Sequence, residues 1–197
     1  MTSALQPIEA WFQQQGWSPM AFQQEVWNTY LQGQSGLLQV PTGSGKTYAA
    51  VMGPIAEMLQ EPGQGKGLRL LVITPLRALS RDLALAIEQP IEAMGWPIRV
   101  GIRNGDTATY ERSKQLRTPP QILITTPESL YLLLTSRARD LLATVETVII
   151  DEIHSLVATK RGAHLFLSLE RLERFRQENR QANSDQPLAS LQRIGLS

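Results

Sequence analysis

The chain contains no cysteine. That removes a disulfide framework and any thiolate metal site from consideration. Histidine occurs only as His154 and His164, and neither has the Cys/His partners a zinc site requires. Charge of one sign is also missing, since 19 basic residues stand against 18 acidic ones. Bulk charge therefore makes no case for a nucleic-acid partner, and any such contact must come from local placement. Arg99, Arg103, Arg112, Lys114 and Arg117 make a mild basic density; it is either such a placement or a solvated face. No apolar run approaches the ~18–20 residues that span a bilayer. The opening Met1-Thr2-Ser3-Ala4 lacks the basic region and apolar core of a secretory signal, so a cytoplasmic location and no membrane partner are expected. The remaining composition is that of a globular protein, and 197 residues suffice for one domain with a substantial core.

Against that plain background, Val40-Pro41-Thr42-Gly43-Ser44-Gly45-Lys46-Thr47 stands out. It follows a short apolar run, Gly36 to Val40, and precedes a helical pattern from Tyr48 to Leu59. A strand, a Gly-rich turn ending Gly-Lys-Thr and a helix make a phosphate cradle. Backbone N–H groups of the turn and the positive helix end face the same anion. Lys46 reaches the terminal phosphates, and the Thr47 hydroxyl is suited to Mg²⁺. The pattern expects Gly or Ala where Val40 stands, while Gly43 to Thr47 is intact.

Helical and strand patterns alternate along the chain. Residues 4–15 form an amphipathic pattern with Ile8, Trp11 and Phe12 on one face and Gly16 as its stop, and a second helix is expected from Met20 to Leu31. Short apolar runs at Arg69–Thr74, Ile98–Ile102, Gln121–Thr125, Val145–Ile150 and Arg193–Leu196 read as strands. Helices are expected over Leu76–Met94, from Pro127, and over Gly162–Arg180, with a surface loop at Asn183–Pro187. Alternation of this kind predicts an α/β fold with a mostly parallel sheet and helices on both faces. Ligands of such sheets bind beyond the carboxyl ends of the strands.

One of those ends carries Val148-Ile149-Ile150-Asp151-Glu152-Ile153-His154. An NTPase needs acids at this point. Asp151 is placed to hold Mg²⁺ opposite Thr47, and Glu152 to orient and deprotonate the attacking water. Phosphoryl transfer asks mainly for positioning and charge neutralisation, which this pair supplies.

Asp-Glu-x-His joined to this phosphate loop resembles the DExH-box helicases of superfamily 2, which have a RecA-like P-loop NTPase domain. Thr74 to Leu79 looks like that family's first strand-contact motif, Arg103-Asn104-Gly105-Asp106-Thr107 like its Arg-x-Gly-Asp-Thr element, and Thr125 to Leu130 like the next contact motif. Lys160-Arg161-Gly162-Ala163-His164-Leu165 is similar to the Lhr (large helicase-related) group. Trp11-Phe12, Gly16-Trp17, Phe22-Gln23 and Ser35 to Leu38 look most like the ligase-associated DNA damage response DExH-box helicases within it.

The resemblance implies ATP and Mg²⁺ as cofactors and single-stranded nucleic acid, DNA in preference to RNA, as partner. It implies a nucleotide site of Gln23, Thr42, Gly43, Ser44, Gly45, Lys46 and Thr47, with Gln23 on the adenine edge. Lys46, Asp151, Glu152 and His154 are its implied catalytic set, and Thr47 and Asp151 its metal ligands. Arg77, Arg103, Thr107 and Thr126 match positions near the strand, where contacts go mostly to phosphates. Trp17 or Phe22 either stacks near the base or belongs to the core. The chain divides on this reading into N-terminal helices (1–35) and a first RecA-like domain (36–197) that stops at the Ser of a Ser-Ala-Thr motif. A second RecA-like domain, with its arginine finger, is expected elsewhere in a longer parent. The 197 residues alone are then expected to hydrolyse ATP poorly, and a role in DNA repair is implied for the parent.

Overall fold

The computed structural model describes residues 3–60, 67–181 and 189–197. A 3₁₀ turn, Ser3–Leu5, leads into α1 (Gln6–Gln14) and α2 (Ala21–Leu31). Strand β1 (Gly36–Leu38) then enters the sheet, followed by α3 (Lys46–Gln60), β2 (Leu70–Ile73), α4 (Leu79–Met94) and β3 (Val100–Arg103). After α5 (Thr109–Arg117) come β4 (Ile122–Thr125), α6 (Pro127–Leu134), a 3₁₀ segment (Arg137–Leu142) and β5 (Thr147–Ile150). A four-residue helix, α7 (His154–Val157), the long α8 (Lys160–Gln181) and β6 (Gln192–Leu196) complete the order. The loop expected at Asn183–Pro187 lies outside the described residues.

The strands form one sheet in the order β1-β6-β5-β2-β4-β3, and every pairing in it is parallel. Alternate side chains of a strand point to opposite faces, and the sequence uses this period to build two cores. Leu70, Val72, Ile122, Ile124, Ile149 and Ile194 face a layer made by α1 to α4. Leu71, Ile73, Leu123, Val148 and Ile150 face α6, the 3₁₀ segment, α7 and α8. Both faces being covered explains why these strands read as continuous apolar runs.

Helices α1 and α2 share the first core with α3. Trp11 and Trp27 are fully buried there, with Phe12 edge-on to both at 5.1 and 5.5 Å. Tyr30 pins α2 down. Its hydroxyl donates to Glu57 Oε2 at 2.7 Å and lies 2.8 Å from Thr147 Oγ1 at the start of β5. Burial, then the Glu57 charge, pushes the phenol's pKa upward.

Several expected boundaries move by a few residues, two of them at the site. The helix after the phosphate loop begins at Lys46 rather than Tyr48, because Lys46 and Thr47 form its first turn. The helix expected from Leu76 begins only at Leu79, so Thr74 to Ala78 stays a loop at the end of β2. Helices α5 and α7 and the 3₁₀ segment have no counterpart in the sequence reading. Helix α5 carries almost no apolar pattern, with Gln115 its one buried residue, and α7 is a single turn.

Candidate functional site

The phosphate loop, the acidic box and the end of β6 meet at the carboxyl edge of the sheet. Gln39, Val40, Pro41, Thr42, Lys46, Glu152, His154 and Ser197 line an open cleft of about 450 Å³ there. Parallel pairing produces this meeting. Val40 donates to the Ser197 carbonyl at 3.2 Å, Ser197 donates to the Leu38 carbonyl at 2.9 Å, and Ile153 donates to the Leu196 carbonyl at 2.8 Å.

Within the loop, Gly43 and Gly45 have φ of 80° and 85°, a region that glycine enters without a Cβ penalty. Gly45 is also hemmed in by Gln23, whose Nε2 would lie 2.7 Å from a Cβ added there. That same Nε2 donates to the Gly45 carbonyl at 3.2 Å, while Oε1 accepts the Met20 N–H at 2.9 Å. Gln23 is buried and ties the start of α2 to the loop. Ser44 Oγ is buried without a hydrogen-bond partner. An orphaned hydroxyl inside a turn of this shape calls for a ligand oxygen.

Across the cleft, Lys46 Nζ lies 3.7 Å from Glu152 Oε1, and Glu152 Oε2 lies 3.1 Å from His154 Nε2. His154 Nδ1 in turn reaches Ser197 Oγ at 3.1 Å. Glu152 holds φ at 50°, alone among the described non-glycine residues in positive φ. Such backbone costs of order 1–3 kcal/mol and persists where the surroundings fix it. Its N–H donates to Asp151 Oδ1 at 3.1 Å. Burial, then the adjacent Glu152 charge, pushes the Asp151 carboxyl above the ordinary aspartate range, against the opposing pull of the Glu152 N–H, Lys46 and His154. A carboxylate raised in this way gains from a cation. The residues therefore fit a Mg²⁺-bound triphosphate: an orphaned hydroxyl, a glycine turn, a lysine, and an acid short of positive charge. Among the described residues no cluster of three or more His, Cys, Asp or Glu forms a metal site of protein ligands alone. Trp17 and Phe22 do not line the cleft. Trp17 is about half exposed, edge-on to Trp11 at 5.7 Å, and Phe22 lines a separate groove beside β1.

Of the four residues expected near a strand, Arg103 ends β3 and Arg77, Thr107 and Thr126 follow β2, β3 and β4, on the other half of the same edge. Arg77 is exposed and pairs with Asp106 at 3.2 Å. Arg103 is half-buried. It donates to the Arg112 carbonyl at 3.3 Å and to Gln115 Oε1 at 3.4 Å, and burial, then the Arg112 charge, lowers its pKa. Thr107 Oγ1 accepts the Asn104 N–H at 3.0 Å and donates to the Ile102 carbonyl at 3.2 Å. Thr126 is buried as the N-cap of α6, accepting from the Ser129 N–H at 3.4 Å. Arg112 wraps the same turn, donating to the Thr107, Asn104 and Gly105 carbonyls at 2.8, 3.0 and 3.3 Å. Much of the basic density seen in the sequence is thus spent on shaping a loop. Arg161 and Glu128, each inside a quoted family motif but with no individual role expected, are bonded to each other, and Arg161 also to the Pro75 carbonyl, a contact 86 residues apart.

Residues 20–191 match the DEAD/DEAH box helicase family. The Lhr helicase/uracil glycosylase of Escherichia coli (strain K12) is 43% identical, over 95% of this chain and 12% of the relative. The chain therefore spans about an eighth of the length of that relative. Among solved structures, Mycobacterium smegmatis helicase Lhr bound to ssDNA and AMP-PNP superposes with a TM-score of 0.81 at 39% identity, covering 100% of this chain and 25% of that one. The DUF1998 helicase MrfA bound to DNA and AMPPNP gives 0.82 at 25% identity, covering 100% and 26%. The fold of the neighbours is that of RecA-like helicase domains. Among the described residues no helix is long and apolar enough to cross a membrane.

Proposed function

The chain belongs to the DEAD/DEAH box helicase family and is Lhr-like in sequence, and from that premise we propose that it is the ATP-binding motor domain of an ATP-dependent DNA helicase or translocase. The observation that carries this reading is the Lys46–Glu152 approach across the cleft, with Asp151 raised beside it. Lys46, now paired with Glu152, would turn its ammonium from that carboxylate to the terminal phosphates of a bound triphosphate. Glu152 is then free to orient water, and its fixed backbone keeps the carboxylate at the mouth of the cleft. His154 bridges Glu152 to Ser197 and so ties the acid to the end of β6. Gln23, whose amide is held by Gly45 and Met20, is assigned to the adenine edge on the family resemblance. Thr47 and Asp151 would hold Mg²⁺, which when bound would supply charge neutralisation at the phosphates.

Arg77 and the backbone of the loops after β2, β3 and β4 form the strand-facing surface. Arg103, Thr107 and Thr126 act there by fixing loop shape as much as by direct contact. Single-stranded DNA as partner is supported by the ssDNA-bound Lhr neighbour. A second RecA-like domain in a longer parent, the division at residue 35, a ligase-associated subgroup, a repair role and a cytoplasmic location belong to the same proposal. An arginine finger from a second domain is worth about 10³–10⁵ in rate in related NTPases, so the 197 residues alone are expected to turn over slowly.

ATPase assays of the full-length protein with single-stranded DNA or RNA test this reading. Stimulation by DNA above RNA supports it; stimulation by RNA alone makes this an RNA motor; no stimulation by either sinks it.

A further inference from the structure

We infer that Arg161 is a positioning residue that locks the strand-facing loops after β2 and β4 to the segment following the acidic box. The inference rests on the motor-domain reading above. Arg161 is the second residue of α8. Its Nε and Nη2 grip the Glu128 carboxylate in a fork, with Nη2 to Oε2 at 3.0 Å, and the same Nη2 donates to the Pro75 carbonyl at 2.6 Å. Glu128 lies in the first turn of α6, next to the Thr126 cap. Pro75 is buried in the loop that presents Arg77. One guanidinium therefore joins both loops, a two-point grip that lysine cannot reproduce.

The anchor beneath Arg161 leads back to the nucleotide cleft. A Cβ on Gly162 would lie 1.9 Å from the Leu156 carbonyl oxygen, so the first turn of α8 rests directly on α7. Thr159 Oγ1 stitches the same junction, donating to the Leu156 carbonyl at 2.8 Å and accepting the Gly162 N–H at 3.0 Å. Helix α7 begins at His154, which touches Glu152. Contacts are thus continuous from Glu152 through His154, α7, Gly162 and Arg161 to Pro75 and Glu128. An ion pair this exposed adds little to stability by itself. Its effect belongs to the relation between loops, and a change at Glu152 has a physical route to the strand-facing surface.

The test is the ATPase of the full-length protein as a function of thymidine-homopolymer concentration. In Arg161→Ala the half-saturating oligonucleotide concentration is expected to rise about tenfold, with KM for ATP measured without oligonucleotide staying within about twofold. Arg161→Lys retains the charge and loses the fork, and is expected to lie nearer to Arg161→Ala than to wild type. Glu128→Gln, which leaves the Pro75 bond in place, is expected to shift in the same direction by less, and it carries the test if Arg161→Ala does not fold. Unchanged half-saturation in Arg161→Lys and Glu128→Gln overturns the inference. So does a rise in half-saturation matched by an equal rise in KM for ATP and a fall in melting temperature, which marks a merely structural residue. A wild-type ATPase that no nucleic acid stimulates overturns the motor reading itself, which separates the two failures.

Discussion

Along the carboxyl edge of the sheet, the half formed by β1, β6 and β5 and the half formed by β2, β4 and β3 hold their polar side chains in opposite ways. In the first half, Ser44 Oγ has no partner, Glu152 sits at φ 50°, and Asp151 is raised by burial and by Glu152. In the second, Thr107, Thr126, Arg103 and Arg112 spend their side chains on neighbouring backbone or side-chain groups, and Thr74 Oγ1 at the end of β2 is a buried hydroxyl left without a partner. A half-satisfied site awaits a ligand that completes it. A largely satisfied one presents shape, and meets its partner through backbone groups, the Thr74 hydroxyl and the exposed Arg77. That division suits a nucleotide recognised atom by atom and a strand recognised by its repeating phosphates.

The comparison breaks most sharply at Glu152. Glu152→Gln in the full-length protein is expected to lower turnover by about 10²–10⁴ while nucleotide binding persists; surviving turnover removes Glu152 from the mechanism. On the other half, Arg112→Ala strips three carbonyl bonds from the Asn104–Thr107 turn and is expected to destabilise the fold by about 1–3 kcal/mol in urea unfolding. Arg77→Ala should change stability by less than about 0.5 kcal/mol, because its pair with Asp106 is exposed. It should instead weaken oligonucleotide binding and reduce the salt slope by about 1. The smallest effect concerns pH. The Arg161 bond holds the Glu128 carboxyl below the ordinary glutamate range. Its contribution is therefore present above the unfolded-state value and is lost as pH falls through the lower folded-state value. The stability gap between wild type and Arg161→Ala should close on acidification through that window, as thermal melts across it will record.

The sequence made one half of this comparison far more legible than the other. A phosphate loop is local: Gly43, Gly45 and Lys46 sit in one turn, and an apolar strand ending in Asp151-Glu152 marks its counterpart. Continuous apolar runs reported a sheet covered on both faces, and the alternation of Leu70 and Val72 with Leu71 and Ile73 built both cores. Helix α5 escaped because its apolar residues, Tyr110 and Leu116, form no buried stripe and it is held by contacts such as Gln115 Nε2 to the Ile102 carbonyl at 2.9 Å. Arg161 escaped for a different reason. Its partners stand 33 and 86 residues away, and no local pattern encodes which distant carbonyl a guanidinium will meet. The positive φ of Glu152 also has no residue-type signal, since glycine is the usual occupant of that region.

The most direct measurement is a titration of the 197-residue chain with a fluorescent ATP analogue, with and without Mg²⁺, for wild type and Lys46→Ala. Removing a charge-assisted contact of about 1.5–3 kcal/mol is expected to weaken binding by about tenfold or more, and omitting Mg²⁺ to weaken binding to the wild type. Binding of equal strength in Lys46→Ala, or no dependence on Mg²⁺, would contradict a nucleotide cleft built from Lys46, Thr47 and Asp151.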